Sequence, residues 1–189
     1  PDLVVCLDSG AGDYKRMWTT TSLRGLIGLK LRVDILKEGV HSGGASGYVP
    51  SSFRVARQLL SRIENQETGE ILLDELKVKI PSFRKEETKK YVQTIGKELR
   101  KEFPWVSKTR PSTNNDVEGV LRRTWRPALS VVGGGGLPPS ENAGNVLRPY
   151  TELQLSIRIP PFVDQKKAQK AIEKTLIKKP PYDSKITIA

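Results

Sequence analysis

From Ser22 to Leu36 the chain alternates apolar and polar residues with a period of two. Leu23, Ile27, Leu29, Leu31, Val33 and Ile35 fall on odd positions, and Arg24, Lys30, Arg32 and Asp34 on even ones. Successive side chains of an extended chain point to opposite faces, so this pattern predicts a half-buried strand with its odd face on a core. A slip of one residue in pairing would turn that whole apolar set to water, so the register is constrained as well. The pattern returns in Asn145 to Ile159, where Leu153, Leu155, Ile157 and Ile159 face inward and Glu152, Gln154, Ser156 and Arg158 outward. Pro160-Pro161 stops that strand, because proline has no N–H for the ladder.

Other elements fall between these two. A helix is expected over about Pro50 to Glu64, capped by Ser51 or Ser52, with Phe53, Ala56, Leu60 and Ile63 as its buried stripe. Arg126 to Val132 reads as a strand closed by Gly133-Gly134-Gly135-Gly136. Asp164 caps a helix to about Lys178 that buries Ala168, Ala171, Ile172 and Leu176, and Ser184 to Ile188 reads as the last strand. The order is strand, helix, strand, strand, helix, strand. It predicts an α+β, ferredoxin-like βαββαβ fold: an antiparallel four-stranded sheet with two helices on one face and a helical insertion. The insertion spans about 65–115. It carries a helix near Glu86 to Glu102 (Tyr91, Val92, Ile95 and Leu99 on one side) and loops with Pro81, Pro104 and Pro111, and a short helix follows at Asp116 to Thr124. Residues 1–20 read as a strand end (Val4, Val5, Leu7) and a linker, and 21–189 as the domain proper.

Bulk properties exclude several classes. No apolar run approaches the roughly 18–20 residues of a membrane span. The opening Pro1 to Leu7 lacks the basic and apolar regions of a signal peptide and reads as a piece of a longer protein. A single cysteine, Cys6, rules out an internal disulfide and fits a reducing, cytoplasmic setting. The net charge of +11 raises nucleic acid or anionic membrane as a partner. Yet Lys85, Lys89, Lys90, Lys97, Arg100 and Lys101 interleave with Glu86, Glu87, Glu98 and Glu102, as on a solvated helix face. An RNA-binding sheet needs aromatics on its open face for stacking. These strands offer Arg24, Lys30, Arg32, Glu152, Gln154 and Arg158 instead, so nucleic acid is an unlikely partner.

Chemistry-bearing residues are few. No CxxC pair is present, no Gly-Lys-Ser/Thr follows the four glycines, and His41 is the sole histidine. Read one at a time, His41 in its glycine-rich loop Gly39 to Gly47 is a solvated histidine, Asn145 a turn residue, Arg158 a surface arginine and Asp8 a turn carboxylate.

Their order and context say more. Val4-Val5-Cys6-Leu7-Asp8, Leu23-Arg24-Gly25, Val40-His41-Ser42-Gly43, Trp125-Arg126-Pro127-Ala128-Leu129, Gly144-Asn145-Val146-Leu147 and Ser156-Ile157-Arg158-Ile159-Pro160 follow one another, with Pro180-Pro181-Tyr182 before the last strand. This series resembles the dizinc metallopeptidase family of carnosinase, carboxypeptidase G, aminoacylase and succinyl-diaminopimelate desuccinylase, and most of all its carnosinase-like dipeptidase branch. The resemblance implies a lid domain that is inserted in a two-zinc catalytic domain and forms a homodimer. It implies that Asp8 is one metal ligand, that His41 stabilises an oxyanion in the partner's active site, and that Asn145 and Arg158 bind the substrate, Arg158 through a carboxylate. The family's other ligands are absent from this sequence. A catalytic domain and a peptide or acyl-amino-acid substrate are therefore expected partners of the parent chain, with no activity and no stoichiometric zinc in these residues alone. Two other classes remain: a free-standing basic binding module for nucleic acid, and a purely structural oligomerisation domain.

Overall fold

The computed structural model describes residues 2, 4–6, 10–96 and 98–189. The first long strand, β1 (Gly25–Asp34), is followed by the two-residue β2 (Val40–His41) and a single helical turn, α1 (Ser42–Ala45). Next come α2 (Ser52–Leu60), α3 (Ser82–Ile95), α4 (Glu98–Lys101) and α5 (Asp116–Thr124). The chain then forms β3 (Ala128–Gly135), the short β4 (Val146–Leu147), β5 (Tyr150–Ile159), α6 (Gln165–Ile177) and β6 (Lys185–Ile188).

Both alternating segments pair with each other. β1 and β5 run antiparallel in unbroken register from Gly25 opposite Ile159 to Asp34 opposite Tyr150. Ile27, Leu29 and Leu31 therefore face Ile157, Leu155 and Leu153 across the ladder, and all six are buried. The sheet order is β3-β5-β1-β6, the split βαβ arrangement predicted from the sequence. Helices α2 and α6 lay Val55, Ala56, Leu59, Ala168, Ile172 and Leu176 on this apolar face and close the main core.

The structure corrects several boundaries. The stripe of α2 is Val55, Ala56 and Leu59, continued by Ile63. Phe53 is 43% exposed and Leu60 half-buried, so the buried face is rotated from the expected one. The reason lies in the crossing: α2 starts with Ser52 hydrogen-bonded to Thr151 (2.8 Å), and that anchor sets which side meets the sheet. Gly133 to Gly135 do not close β3 but belong to it, after a register shift between Val131 and Gly133. Gly136 then turns the chain with φ +84°, at a point where a Cβ would collide with the Tyr150 carbonyl. β5 begins at Tyr150, because Val146 and Leu147 leave the main sheet to pair with β2.

Ile71 and Leu76, inside the expected insertion, are buried in the main core. The helical part beyond them keeps two small clusters of its own, Ile80–Leu121–Trp125 and Ile95–Leu99–Val120. The single helix expected near residues 86–102 starts earlier, at Ser82, and breaks at Gly96, whose φ is +57°. Val4 and Val5, expected as a buried strand end, are 73% and 71% exposed and form no strand, since the described residues offer them no neighbouring sheet. Leu7 and Asp8 lie outside the described residues. No helix among the described residues is long and apolar enough to cross a membrane.

This core assignment has a direct check. Leu155→Ala removes a fully buried side chain from the centre of the ladder and should cost about 2–5 kcal/mol in urea denaturation. Phe53→Ala, on the solvent side of α2, should cost less than about 1 kcal/mol. Equal losses would mean that the helix face has been read wrongly.

Candidate functional site

Chain connectivity places the glycine-rich loop. It leaves β1 at Asp34, and Ile35 N–H and Leu36 N–H donate to the Pro149 carbonyl at 2.8 and 3.2 Å, so the loop starts beside the first residue of β5. Val40 and His41 then pair with Leu147 and Val146, and Ser42 N–H donates to the Asn145 carbonyl at 2.8 Å. The loop ends at α2, whose Ser52 hydroxyl holds the fully buried Thr151 hydroxyl. Arg148 donates from Nε to the Gly136 carbonyl at 2.8 Å and ties in the end of β3. His41 thus lies on a small two-stranded ladder at one end of the main sheet, with Asn145 directly beside it.

The His41 side chain is exposed and its state is defined locally. Gly43 N–H donates to its Nδ1 at 3.1 Å, capping α1. With Nδ1 occupied as an acceptor, Nε2 is the ring nitrogen through which His41 can donate an N–H. Such a donor is the kind of group that binds a developing oxyanion. Gly43 has to be small here: a Cβ would lie 2.9 Å from His41 Cε1 and 3.1 Å from Nδ1.

Arg158 sits elsewhere. It pairs with Leu26 on one side and Ala128 on the other, near the far end of β5, on the open face of the sheet. Eight residues of strand separate it from Tyr150, a span of roughly 26 Å. The structure therefore does not bring Arg158 to His41 and Asn145 within one protomer. Its electrostatic setting also differs from that of the other cations of this face. Arg32 is bound by Asp34 at 2.8 Å and stacks on Tyr150 at 3.7 Å, and Lys30 lies 3.8 Å from Glu152. Arg158 is exposed and has no ion pair or hydrogen bond among the described residues, and its charged neighbour is Arg24. An unneutralised guanidinium on a strand suits an external carboxylate, which it can grip with two parallel N–H donors.

Asp8, the expected metal ligand, lies outside the described residues. Among the described residues no group of three or more His, Cys, Asp and Glu side chains could hold a metal ion. The described residues do not by themselves make a metal centre.

Two contributors went unnoticed in the sequence. Thr151 continues the buried row of β5, but its role depends on Ser52, 99 residues away. Arg24 carries no local signal of its partners. In the structure it is half-buried and donates to the carbonyls of Arg122 and Arg126.

Comparison with known proteins places this geometry. The family described as the peptidase dimerisation domain, M20_dimer, matches residues 21–184. The cysteinylglycine-S-conjugate dipeptidase of Corynebacterium striatum is 27% identical over 182 residues, covering 90% of this chain and 35% of the relative. The crystal structure of human carnosine dipeptidase 1 is similar in fold, with a TM-score of 0.68 at 20% identity over 88% of this chain and 36% of that one. The dipeptidase Dug1p of Saccharomyces cerevisiae gives a TM-score of 0.63 at 21% identity, over 88% of this chain and 35% of that one. The chain thus spans little more than a third of the length of the relatives it matches.

The tautomer of His41 yields a test. In nitrogen-15 NMR of this chain, the ring should show a protonated Nε2 and an unprotonated Nδ1. Gly43→Ala, which crowds the ring, should release that bond and move the two nitrogens toward the averaged shifts of free imidazole, with the backbone spectrum otherwise retained. A ring unaffected by the substitution would mean that Gly43 does not hold it.

Proposed function

The chain belongs to the peptidase dimerisation domain family, and we propose that it is the dimer-forming lid of a zinc-dependent peptidase that cleaves dipeptides or acylated amino acids. The observation that carries this reading is the position of the three recognition side chains on the sheet. His41 and Asn145 sit at the Tyr150 end, and Arg158 at the Ile159 end. A dipeptide-sized substrate is far shorter than the roughly 26 Å between them. All three serve one substrate only if they come from two subunits.

The edge of the sheet supports such a pairing. From Ala128 to Leu137 the chain carries no charge, with Val131 50% and Val132 63% exposed. Exposed edges are normally blunted by lysine, proline or brevity, as in the short, lysine-bearing β6. The β3 edge lacks such protection and is suited to pair with a second copy about a two-fold axis. Antiparallel pairing reverses the ends. The Gly135 end, beside His41 and Asn145, then lies along the partner's Ala128 end, beside Arg158.

In this reading Arg158 grips the substrate's terminal carboxylate, Asn145 binds its backbone, and the Nε2–H of His41 from the other subunit donates to the oxyanion. Such a preorganised donor is worth several kcal/mol in a water-excluded site. The two zinc ions of the parent enzyme would supply Lewis acidity and an activated water, with Asp8 as one ligand and the rest outside this chain. A single cysteine fits a cytoplasmic setting for the parent.

Subunit complementation in the parent enzyme tests this arrangement. His41→Ala and Arg158→Ala should each reduce kcat/KM by roughly a hundredfold or more. After mixing and exchange, about half of the dimers are hybrids, each with one intact composite site, so activity should return to about a quarter of wild type. No recovery, with exchange verified by mass, would place both residues in the same subunit's site. The isolated chain should hydrolyse neither Cys-Gly nor carnosine and should retain no stoichiometric zinc after dialysis; metal-dependent turnover by it would exclude the lid assignment.

A further inference from the structure

The α4–α5 side of the domain surrounds a cavity of about 300 Å³. Its lining is dominated by apolar surface, including Leu99, Phe103, Trp105 and Val120. Phe103 and Trp105 meet edge to face at 5.8 Å, and the indole N–H is already bound to the Arg100 carbonyl at 2.7 Å, so the aromatic wall is fixed. Four arginines also line the space. Three have carboxylate partners: Arg100 with Asp116 at 3.0 Å, Arg122 with Glu118 at 3.3 Å, and Arg123 with Glu102 at 2.6 Å.

Arg24 is the exception. It has no ion pair among the described residues. Its bonds to the Arg122 and Arg126 carbonyls, at 3.3 and 3.2 Å, both come from Nη1. The Nε–Nη2 edge, which matches a carboxylate with two parallel donors, has no partner among the described residues. Burial, and then the charges of Arg158 and Arg123, lower the pKa of this guanidinium. It remains charged at neutral pH, as arginine does in proteins. The site therefore combines an aromatic wall, a partly open cleft at the low end of volume for small-molecule pockets, and, among its lining arginines, one half-buried positive charge without a carboxylate partner.

We propose that this cavity binds a small apolar molecule bearing a single carboxylate, with the carboxylate on the free edge of Arg24 and the apolar body against Phe103 and Trp105. A monoanion matches the one unpaired charge. The proposal concerns this chain alone and does not depend on the lid assignment.

The test is a titration of this chain with N-acetyl-L-phenylalanine and with its uncharged amide, following the Trp105 indole N–H by NMR. Trp105→Phe assigns the signal against Trp18 and Trp125. The acid should give a saturable shift with a dissociation constant in the millimolar range, and the amide should bind roughly tenfold more weakly or worse. Arg24→Gln should abolish the preference for the acid. Because Arg24 also ties down the end of α5, a second variant leaves it in place. A Cβ at Gly119, which lines the cavity, would make only an ordinary contact with Thr113 Cγ2 at 3.6 Å, so Gly119→Leu is the variant chosen to place bulk there. It should remove binding while keeping the backbone spectrum. Absence of a saturable shift up to about 20 mM would overturn the proposal. So would equal binding of acid and amide, or undiminished binding by Gly119→Leu.

Discussion

The antiparallel ladder between β1 and β5 is the constraint on which the remainder of this domain depends. Its paired rows, Ile27 to Val33 against Ile157 to Thr151, form the floor of the core, and both helices pack on it. The unbroken register also determines what stands on the other face. Because side chains alternate strictly, placing Leu155 and Ile157 inward leaves Arg158 outward, next to Leu26 of β1 and Ala128 of β3. The position of Arg158, a candidate binding residue, is thus a consequence of core packing.

The ends of the ladder acquire different chemistry from what packs beside them. At the Tyr150 end the buried Ser52–Thr151 pair and the Arg148–Gly136 bond hold three segments together, and the small ladder with His41 lies beside them. The same end neutralises its cations: Arg32 on Asp34 and Tyr150, Lys30 near Glu152. At the opposite end the open face is positive. Arg24 and Arg158 stand near each other without carboxylates, while Glu118 holds Arg122 and Arg126. Burial raises the pKa of Glu118, but hydrogen bonds and charges from the two arginines outweigh it, and it stays below its ordinary value. One end of the sheet therefore has its cations paired, and the other leaves two guanidiniums without carboxylates.

Much of the fold was legible because two long segments alternate so strictly that only one pairing hides both apolar rows. Cap residues were legible for a similar local reason: Ser51 and Asp164 each accept from a backbone N–H three residues on. The errors fell where a longer-range contact overrides a local pattern. Phe53 has the right spacing for the core, but α2 is oriented by Ser52 on Thr151. The glycines after Val132 look like a terminator, yet β5 offers them a complete pairing partner and they join the sheet. The four-stranded order of elements and the resemblance in motif sequence pointed to the same family that the comparisons show.

By itself, the sequence determined the two alternating strands, the helices that cover them, the order of elements and the identities of His41, Asn145 and Arg158, all properties that reside in local periodicity and motif order. Tertiary structure alone decided which of these residues share a neighbourhood and which arginines are left without a counter-ion. The physical reason is range. Arg24 meets a carbonyl 98 residues away, Ser52 a hydroxyl 99 residues away, and Arg158 is free because the carboxylates of the face lie near the other end of its strand. Such facts depend on distances between segments that no local pattern contains.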